Sequence, residues 1–281
     1  MFKVKLVLYL VLAFFFQALT SVALAEETEA KELYFGSVAM DVPAVMHRRL
    51  LPLTKYLSEA LQRTVNLKLS PDMPTAIKEV SNGTVNLTYL TPVAYIKAKD
   101  AGGVRLVAKA VTNGVGSFKL VIVAKEGGAV RSIEDLAGKR FAFGDKAALL
   151  QRAVLVGAGM PLERLGSYAF IGHYDNILRG VLNEDFDGGV LKDTTVEQAQ
   201  GKGMKILYSS PALPPYNIVA GRDMDDKLLE KIRQALLKLN VRNPEHAKVI
   251  QALDEQYDGF APAKDEEYDV IRKLIKPFEK G

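Results

Sequence analysis

The chain of 281 residues contains no cysteine, no tryptophan and only three histidines. Without cysteine there can be no disulfide bond, no thiol nucleophile and no lipid attached through an N-terminal cysteine. His47, His173 and His246 are far apart in the sequence and lack the spacing of metal ligands, so we predict no metal site and no cofactor. Neither a Ser-His-Asp order nor a recognisable pair of catalytic carboxylates is present, so we expect that the chain is not an enzyme.

The chain also lacks a strong excess of charge of either sign. Its 37 Lys and Arg residues against 33 Asp and Glu residues give a formal net charge of +4 at pH 7. Lys3 and Lys5 fall in the first 25 residues, which hold no acid, so the rest of the chain carries a net charge of +2. This balance argues against binding to nucleic acid or to a membrane surface.

The N-terminus has the pattern of a secretory signal peptide. The two lysines are followed by an apolar run over residues 6–16 and by the small residues Ala23 and Ala25. The run is shorter than the ~20 apolar residues that a membrane span needs, although a retained anchor is the alternative. We therefore expect cleavage after residue 25, export, and no membrane insertion of the mature protein, because no later stretch is apolar enough to span a bilayer.

Strand-like and helix-like segments alternate over the first third of the mature chain. Apolar runs at residues 33–36, 65–69, 85–90 and 105–111 read as strands, and amphipathic stretches with capping residues separate them. This order predicts an α/β fold with a mostly parallel sheet that carries helices on its faces.

The same pattern then returns later in the chain. Residues 76–90 align without gaps with residues 177–191, with coinciding apolar positions and a coinciding Asn at the helix end. In the same order, residues 33–36 resemble residues 141–144, and residues 105–108 resemble residues 205–208. Three such matches in one order predict two similarly built α/β lobes.

Two segments are candidates for connections between the lobes. Residues 110–121 lead out of the first lobe, and residues 208–219, which contain three prolines, lead back. The predicted division is therefore lobe 1 at residues 26–113 and 217–281, and lobe 2 at residues 114–216. Ligands of open α/β sheets bind at the carboxyl ends of the strands. Here those ends would face one another across a cleft that can close.

The turn after the second lobe's first strand is a candidate anion site. Residues 141–143 form an apolar strand, Gly144 and Asp145 end it, and a helix-forming run follows. Helix starts carry unpaired N–H groups, so the amides of Ala147 and Ala148 together with Lys146 could hold an anion. The alternative is an ordinary strand-to-helix turn with a solvated lysine.

Five segments resemble the periplasmic solute-binding proteins of ABC transporters, in the branch that binds phosphonate, phosphite or phosphate. The segments are 132–145 (SIEDLAGKRFAFGD), 89–95 (YLTPVAY), 172–176 (GHYDN), 213–216 (LPPY) and 259–263 (GFAPA). The resemblance implies the two-lobed, type II periplasmic binding-protein fold and a small-molecule ligand. It also implies a periplasmic location, an ABC permease as partner, and a monomer.

Together, the resemblance and the ends of the predicted strands suggest a set of ligand-binding residues. The candidates are Met40, Tyr89, Thr91, Tyr95, Asp145, Lys146, Ala147, Ala148, His173, Lys192, Asp193 and Tyr216. For Thr91 and Tyr95 the alternatives are a helix cap and a core position, and for His173 a turn residue bonded to the backbone.

The ligand and the partner remain open at this stage. Members of the resembled family hold the oxyanion with a Ser/Thr-rich turn after the Gly-Asp pair, whereas residues 146–150 here carry no hydroxyl. A phosphonate- or phosphate-like anion is our leading expectation, and another small ligand is allowed. Delivery to an ABC permease is the first hypothesis, and presentation of the closed form to a membrane sensor kinase is the second.

Overall fold

The computed structural model describes residues 31–38, 43–199 and 203–279. The predicted signal peptide and the candidate Met40 lie outside these residues. The strands are β1 (Leu33–Val38), β2 (Val65–Ser70), β3 (Leu87–Leu90), β4 (Arg105–Thr112), β5 (Leu120–Lys125), β6 (Arg140–Phe143), β7 (Ser167–Phe170), β8 (Gly188–Lys192), β9 (Met204–Ser209), β10 (Asn217–Ala220) and β11 (Tyr257–Ala261).

Helices cover both faces of the sheets that these strands form. They are α1 (Pro43–Leu61), α2 (Met73–Ser81), α3 (Pro92–Gly102), α4 (Leu149–Gly157), α5 (Tyr174–Leu182), α6 (Asp193–Gln198), α7 (Asp226–Lys238), α8 (Pro244–Leu253) and α9 (Asp269–Ile275). Short 3-10 turns flank α9 at Asp265–Tyr268 and Lys276–Phe278. In the described part of the chain, no helix combines the length and the hydropathy that a bilayer crossing demands.

The strands form two mixed sheets, ordered β11-β4-β10-β3-β1-β2 and β7-β6-β8-β5-β9. In the first sheet β1 pairs in parallel with β2 and β3, and β10 runs antiparallel between β3 and β4. In the second sheet β6 pairs in parallel with β7 and β8, and β5 runs antiparallel between β8 and β9. Four strands of each sheet thus share one direction, and one strand that arrives from the other lobe is inserted among them.

The predicted repeat of the chain is confirmed in the strand order. Read from one edge, β2-β1-β3-β10-β4 of the first sheet corresponds to β7-β6-β8-β5-β9 of the second. The matched segments fall on equivalent elements, because β1 corresponds to β6, α2 and β3 to α5 and β8, and β4 to β9. The edge strand β11, which extends only the first sheet, was not anticipated from the sequence.

Two connections cross between the sheets, at residues 113–119 and 210–216. They run side by side, since the backbone N–H groups of Phe118 and Leu213 donate to each other's carbonyl oxygens at 2.9 and 2.8 Å. Below, lobe 1 denotes residues 31–113 and 216–261, and lobe 2 denotes residues 114–215. This is the predicted division except for Tyr216, which is counted with lobe 1 because its ring stacks on Tyr89 and its carbonyl accepts from the Ala110 N–H. Residues 262–279, the C-terminal segment, are treated separately because they contact both lobes.

Each sheet is buried on both faces. In β5, Leu120, Ile122 and Ala124 pack on the α4 side, whereas Val121 and Val123 pack on the α5 side, as the period of two in a strand requires. In lobe 1, a separate apolar cluster fills the space between the sheet and helices α1, α7 and α8. These helices hold the strand ends, and with them the cleft, in place.

The C-terminal segment joins the two lobes outside the crossings. Helix α9 packs against both α3 of lobe 1 and α4 of lobe 2, with Ile271 and Ile275 fully buried. The 3-10 turn before α9 makes polar contacts with lobe 1. The Tyr95 hydroxyl donates to Asp265, and Lys109 pairs with Glu267 at 2.6 Å. The segment that the sequence analysis assigned to lobe 1 therefore also completes the apolar core of lobe 2.

Candidate ligand-binding cleft

The carboxyl ends of β6 and β7 place two candidate loops side by side. The parallel pairing continues past the strands, because the Ile171 N–H donates to the Phe143 carbonyl at 2.9 Å and the Gly172 N–H to the Gly144 carbonyl at 3.1 Å. The next residues along these loops are Asp145 and His173. The sheet thus brings two predicted site residues that are 28 positions apart to one edge.

Gly144 permits a close approach that any side chain would prevent. A Cβ atom at this position would lie 2.8 Å from the Gly172 carbonyl oxygen and 2.9 Å from the Gln151 Nε2 atom. The buried Gln151 side chain uses the space, and its Oε1 accepts from the Gly144 N–H at 2.7 Å. This contact directs the other end of the amide, Nε2, towards the Tyr174 hydroxyl at 3.4 Å.

The loop amides that were expected to hold an anion are already engaged. The Ala147 N–H donates to the Asp145 carboxylate at 2.6 Å, and the Ala148 N–H donates to the Asp145 carbonyl at 2.9 Å. The carboxylate of the chain itself occupies the place that an oxyanion would take. An anion could use these two amides only by displacing Asp145, which the sequence pattern alone did not reveal.

Lys146 and His173 are exposed and free at this edge. Within the described residues, neither the Lys146 ammonium nor the His173 ring makes a hydrogen bond or an ion pair. His173 is the residue before α5 but does not cap the helix with its side chain. His173 is therefore not hydrogen-bonded to the turn backbone, which was the alternative. The side chains of Lys146 and His173 are both available to a ligand.

Lys192 and Asp193 stand at the end of β8, as expected, and both have local contacts. The Lys192 ammonium lies 5.7 Å from the centre of the Phe118 ring. The Asp193 carboxylate accepts from the backbone N–H groups of Lys119 at 2.9 Å and Thr194 at 3.0 Å. These contacts tie the end of β8 to the first crossing between the lobes.

Lobe 1 contributes a cluster of tyrosines at its cleft edge. The rings of Tyr89 and Tyr216 are stacked, with centroids 5.1 Å apart, and the hydroxyls of Tyr89 and Tyr257 are 2.8 Å apart. Burial raises the pKa of Tyr89 and of Tyr257, so both phenols stay neutral over the physiological range. The Tyr216 hydroxyl, in contrast, has no hydrogen-bond partner in the part of the chain that is described.

The two edges meet beside this tyrosine cluster. A direct contact crosses the cleft between Thr194 Oγ1 of lobe 2 and Gln256 Oε1 of lobe 1 at 3.3 Å, and Gln256 directly precedes Tyr257. Burial is the main cause of the raised pKa of Tyr216, so this phenol also stays neutral.

Two further candidates have mainly structural contacts. Thr91 Oγ1 accepts from the Ala94 N–H at 3.2 Å and is the N-cap of α3. Tyr95 is 1 % exposed, and its hydroxyl donates to Asp265 in the C-terminal segment. Tyr95 therefore occupies a core position, which is the alternative that the sequence allowed. We leave it out of the site proposed below.

Several residues of the cleft were not identified from the sequence. Gln151, Asp254 and Tyr257 belong to separate elements and to none of the five family-like segments, whereas Tyr174 lies in the segment 172–176 but was not selected. For Tyr174 a signal existed, since it follows His173 directly at the start of a helix. Among the described residues, no group of three or more His, Cys, Asp or Glu side chains could hold a metal ion.

Two sheets of equivalent topology, joined by paired crossings and meeting at their strand ends, define a type II periplasmic binding-protein fold. The chain belongs to the family described as ABC transporter, phosphonate, periplasmic substrate-binding protein, which it matches over residues 35–268. The family resemblance inferred from the five sequence segments is thereby confirmed.

Individual relatives are similar in sequence or in fold. The phosphate-import protein PhnD of Mycolicibacterium smegmatis is 23% identical over an alignment of 253 residues, which covers 79% of this chain and 78% of that protein. PhnD1 of Prochlorococcus marinus, solved in complex with methylphosphonate, superposes with a TM-score of 0.71 at 19% identity and covers 90% of this chain and 100% of its own. A binding protein component of an ABC phosphonate transporter from Pseudomonas aeruginosa gives a TM-score of 0.66 at 21% identity, with 89% and 87% covered.

Proposed function

We propose that the protein is a periplasmic solute-binding protein that captures a small phosphonate- or phosphate-like anion by lobe closure and delivers it to an ABC permease. The observation that carries this proposal is the meeting of the two strand-end edges across one cleft, where Thr194 of lobe 2 contacts Gln256 of lobe 1 at 3.3 Å. Membership of the family supports the transport role. The ligand class is supported by the relatives described as importing phosphate and as binding methylphosphonate.

In this proposal the protein needs no cofactor and makes or breaks no covalent bond. It acts as a monomer in the periplasm after removal of residues 1–25. Closure requires only that the closed arrangement of the lobes binds the ligand more tightly than the open one. Groups from both lobes, such as Tyr216 and His173, can contact one ligand only when the cleft is closed.

A thermal-shift panel tests the ligand class. The panel holds phosphate, phosphite, several phosphonates, sulfate, carboxylates, amino acids and neutral solutes. A ligand present at a hundred times its Kd adds ~2.7 kcal/mol to the free energy of unfolding, which is a visible shift. A shift with the phosphorus oxyanions supports the proposal, and a shift only with another class keeps the binding function but replaces the ligand.

Lys146 and His173 are the charged or ionisable groups that we assign to the ligand. Lys146→Ala should weaken binding of the identified anion by at least about fivefold, because a charge-assisted hydrogen bond is lost. His173→Ala should weaken binding by a similar factor, because the free imidazole can donate a hydrogen bond to the anion. Wild-type affinity in isothermal titration calorimetry would exclude the changed residue from the site.

Delivery to a permease and signalling to a sensor kinase differ in their cellular readout. Deletion of the gene should abolish uptake of the identified ligand if the partner is an ABC permease. Normal uptake together with loss of a transcriptional response to the ligand would instead support the sensor-kinase alternative. Gene neighbours that encode a permease and an ATPase, or a histidine kinase, provide an independent check.

A further inference from the structure

The turn of this chain that corresponds to the family's Ser/Thr-rich loop cannot supply hydroxyl donors. Residues 146–150 contain none, and the amides of Ala147 and Ala148 are held by Asp145. The Lys146 ammonium alone cannot satisfy a tetrahedral oxyanion, whose several oxygens can each accept more than one hydrogen bond. A tetrahedral oxyanion bound here needs uncharged donors from elsewhere in the cleft.

Two phenols meet this need. Tyr174 begins α5 at the edge of lobe 2, and Tyr216 precedes β10 at the edge of lobe 1. The Tyr216 ring is held in place by its stack on Tyr89, while its hydroxyl has no partner among the residues described. The edges that carry these two phenols are joined directly, because Thr194 of lobe 2 contacts Gln256 of lobe 1 at 3.3 Å. Gln256 precedes Tyr257, whose hydroxyl lies 2.8 Å from that of Tyr89, the ring on which Tyr216 stacks.

Gln151 sets the direction of the Tyr174 hydrogen bond. Its Oε1 accepts from the Gly144 N–H at 2.7 Å, so its Nε2, a donor only, is the atom left to face the Tyr174 oxygen at 3.4 Å. The Tyr174 hydroxyl therefore accepts from Gln151, and its own proton is free to be donated elsewhere. A phenol in this position is a pre-oriented donor, and pre-orientation lowers the cost of binding.

We propose that Tyr174 and Tyr216, one from each lobe, are the hydroxyl donors that hold the oxyanion of the ligand, with Gln151 as the residue that positions Tyr174. This inference rests on the proposed function and specifies how the same cleft recognises a phosphorus oxyanion. It also gives closure a direct chemical role, because the two donors belong to different lobes and can share one oxyanion only when the lobes are together.

The test measures the Kd of methylphosphonate and of inorganic phosphate by isothermal titration calorimetry. Tyr174→Phe and Tyr216→Phe each keep the ring and lose only the hydroxyl. Each should weaken binding about tenfold or more, as expected for a hydrogen bond to a charged group. Tyr168→Phe is the matched control, because Tyr168 is 44% exposed on β7 and should keep wild-type affinity.

The outcomes separate the inference from the proposed function. If the wild type binds a phosphorus oxyanion and both Phe variants bind it equally well, the inference is wrong and the proposed function stands. If the wild type binds neither probe but responds to another class of solute, the proposed ligand is wrong and the inference falls with it. Thermal unfolding of each variant checks the fold, and a weakened Kd with an unchanged Tm assigns the loss to the missing hydroxyl.

Discussion

Lobe 1 and lobe 2 share a strand order but present different chemistry at the cleft. At the edge of lobe 1, Tyr89, Tyr216 and Tyr257 form a packed group of rings. At the edge of lobe 2, short loops leave Asp145 and His173 exposed. The comparison shows that one strand order can present packed aromatic rings on one side of a cleft and exposed polar side chains on the other.

The largest expected effect breaks the connection between the lobes. Ile271→Ala in α9 should lower the free energy of unfolding by about 3 kcal/mol, since a fully buried Ile leaves a cavity. Ile250→Ala, equally buried but in the lobe 1 cluster with α1 and α7, should cost a similar amount. The two should differ in hydrogen exchange, with faster exchange of α4 amides in Ile271→Ala only.

Loss of α4 protection in both variants would show that the lobes unfold as one unit. The comparison between the lobes would then apply to their surfaces and not to their stability. Urea denaturation with hydrogen exchange of the same samples provides both readouts.

Two glycines provide the next test, Gly36 within β1 of lobe 1 and Gly144 directly after β6 of lobe 2. Gly144→Ala should destabilise the protein by about 2 kcal/mol and weaken ligand binding, because its Cβ would press on a backbone carbonyl and on Gln151. Gly36→Ala meets similarly close atoms, Val85 Cγ1 at 2.9 Å and Thr88 Oγ1 at 3.1 Å, but these are side-chain ends within lobe 1. It should destabilise the fold and keep the wild-type Kd, and equal losses of affinity would contradict this distinction.

Acid stability should depend on a carboxylate of lobe 2. The hydrogen bonds from Arg140 are the largest cause of the lowered pKa of Asp187. Since the folded-state pKa lies below the unfolded value of about 3.9, the stabilisation is complete above that value and is lost as pH falls through the folded-state pKa. Asp187→Asn should cost about 1 kcal/mol at pH 7 and less at pH 3.

Arg140→Gln is the matched variant for this acid effect, because it removes the guanidinium that donates to the Asp187 carboxylate. In the Arg140→Gln background, Asp187→Asn should cost less at pH 7 than it does in the wild type. A flat difference between Asp187→Asn and wild type across pH 3 to 7 would mean that the Arg140 contact does not stabilise the charged form.

The smallest expected effect concerns the direct contact across the cleft. Thr194→Val removes the hydroxyl that lies 3.3 Å from Gln256. One neutral hydrogen bond is worth about 1 kcal/mol or less, so Kd should rise by about fivefold at most. Small-angle scattering without ligand should show a larger fraction of open molecules, and an unchanged profile would indicate that this contact does not hold the lobes together.

Most of the fold could be predicted from local patterns, whereas much of the cleft could not. Alternating strands and helices and the repeated segments predict two lobes, because both patterns are set by residues close together in the sequence. The strand β11 was missed, since its pairing partner β4 lies about 150 residues earlier and decides its structure.

The contacts of single side chains depend on partners that the sequence does not place together. Tyr95 donates to Asp265, 170 positions away, and is thereby held in the core. Asp145 turns back onto the Ala147 amide, which the pattern of a strand followed by a helix does not specify. The role of Tyr174 becomes visible only when Gln151 and the opposite lobe are in place.

The tyrosines at the cleft have an optical consequence. The chain has eleven tyrosines and no tryptophan, so its emission on excitation in the tyrosine absorption band arises from phenols. Tyr89, Tyr216 and Tyr257 are grouped at the cleft edge of lobe 1, and Tyr174 lies at the edge of lobe 2. A ligand that forms hydrogen bonds with this group changes the surroundings of several emitters at once, which makes the native protein its own unlabelled sensor of occupancy.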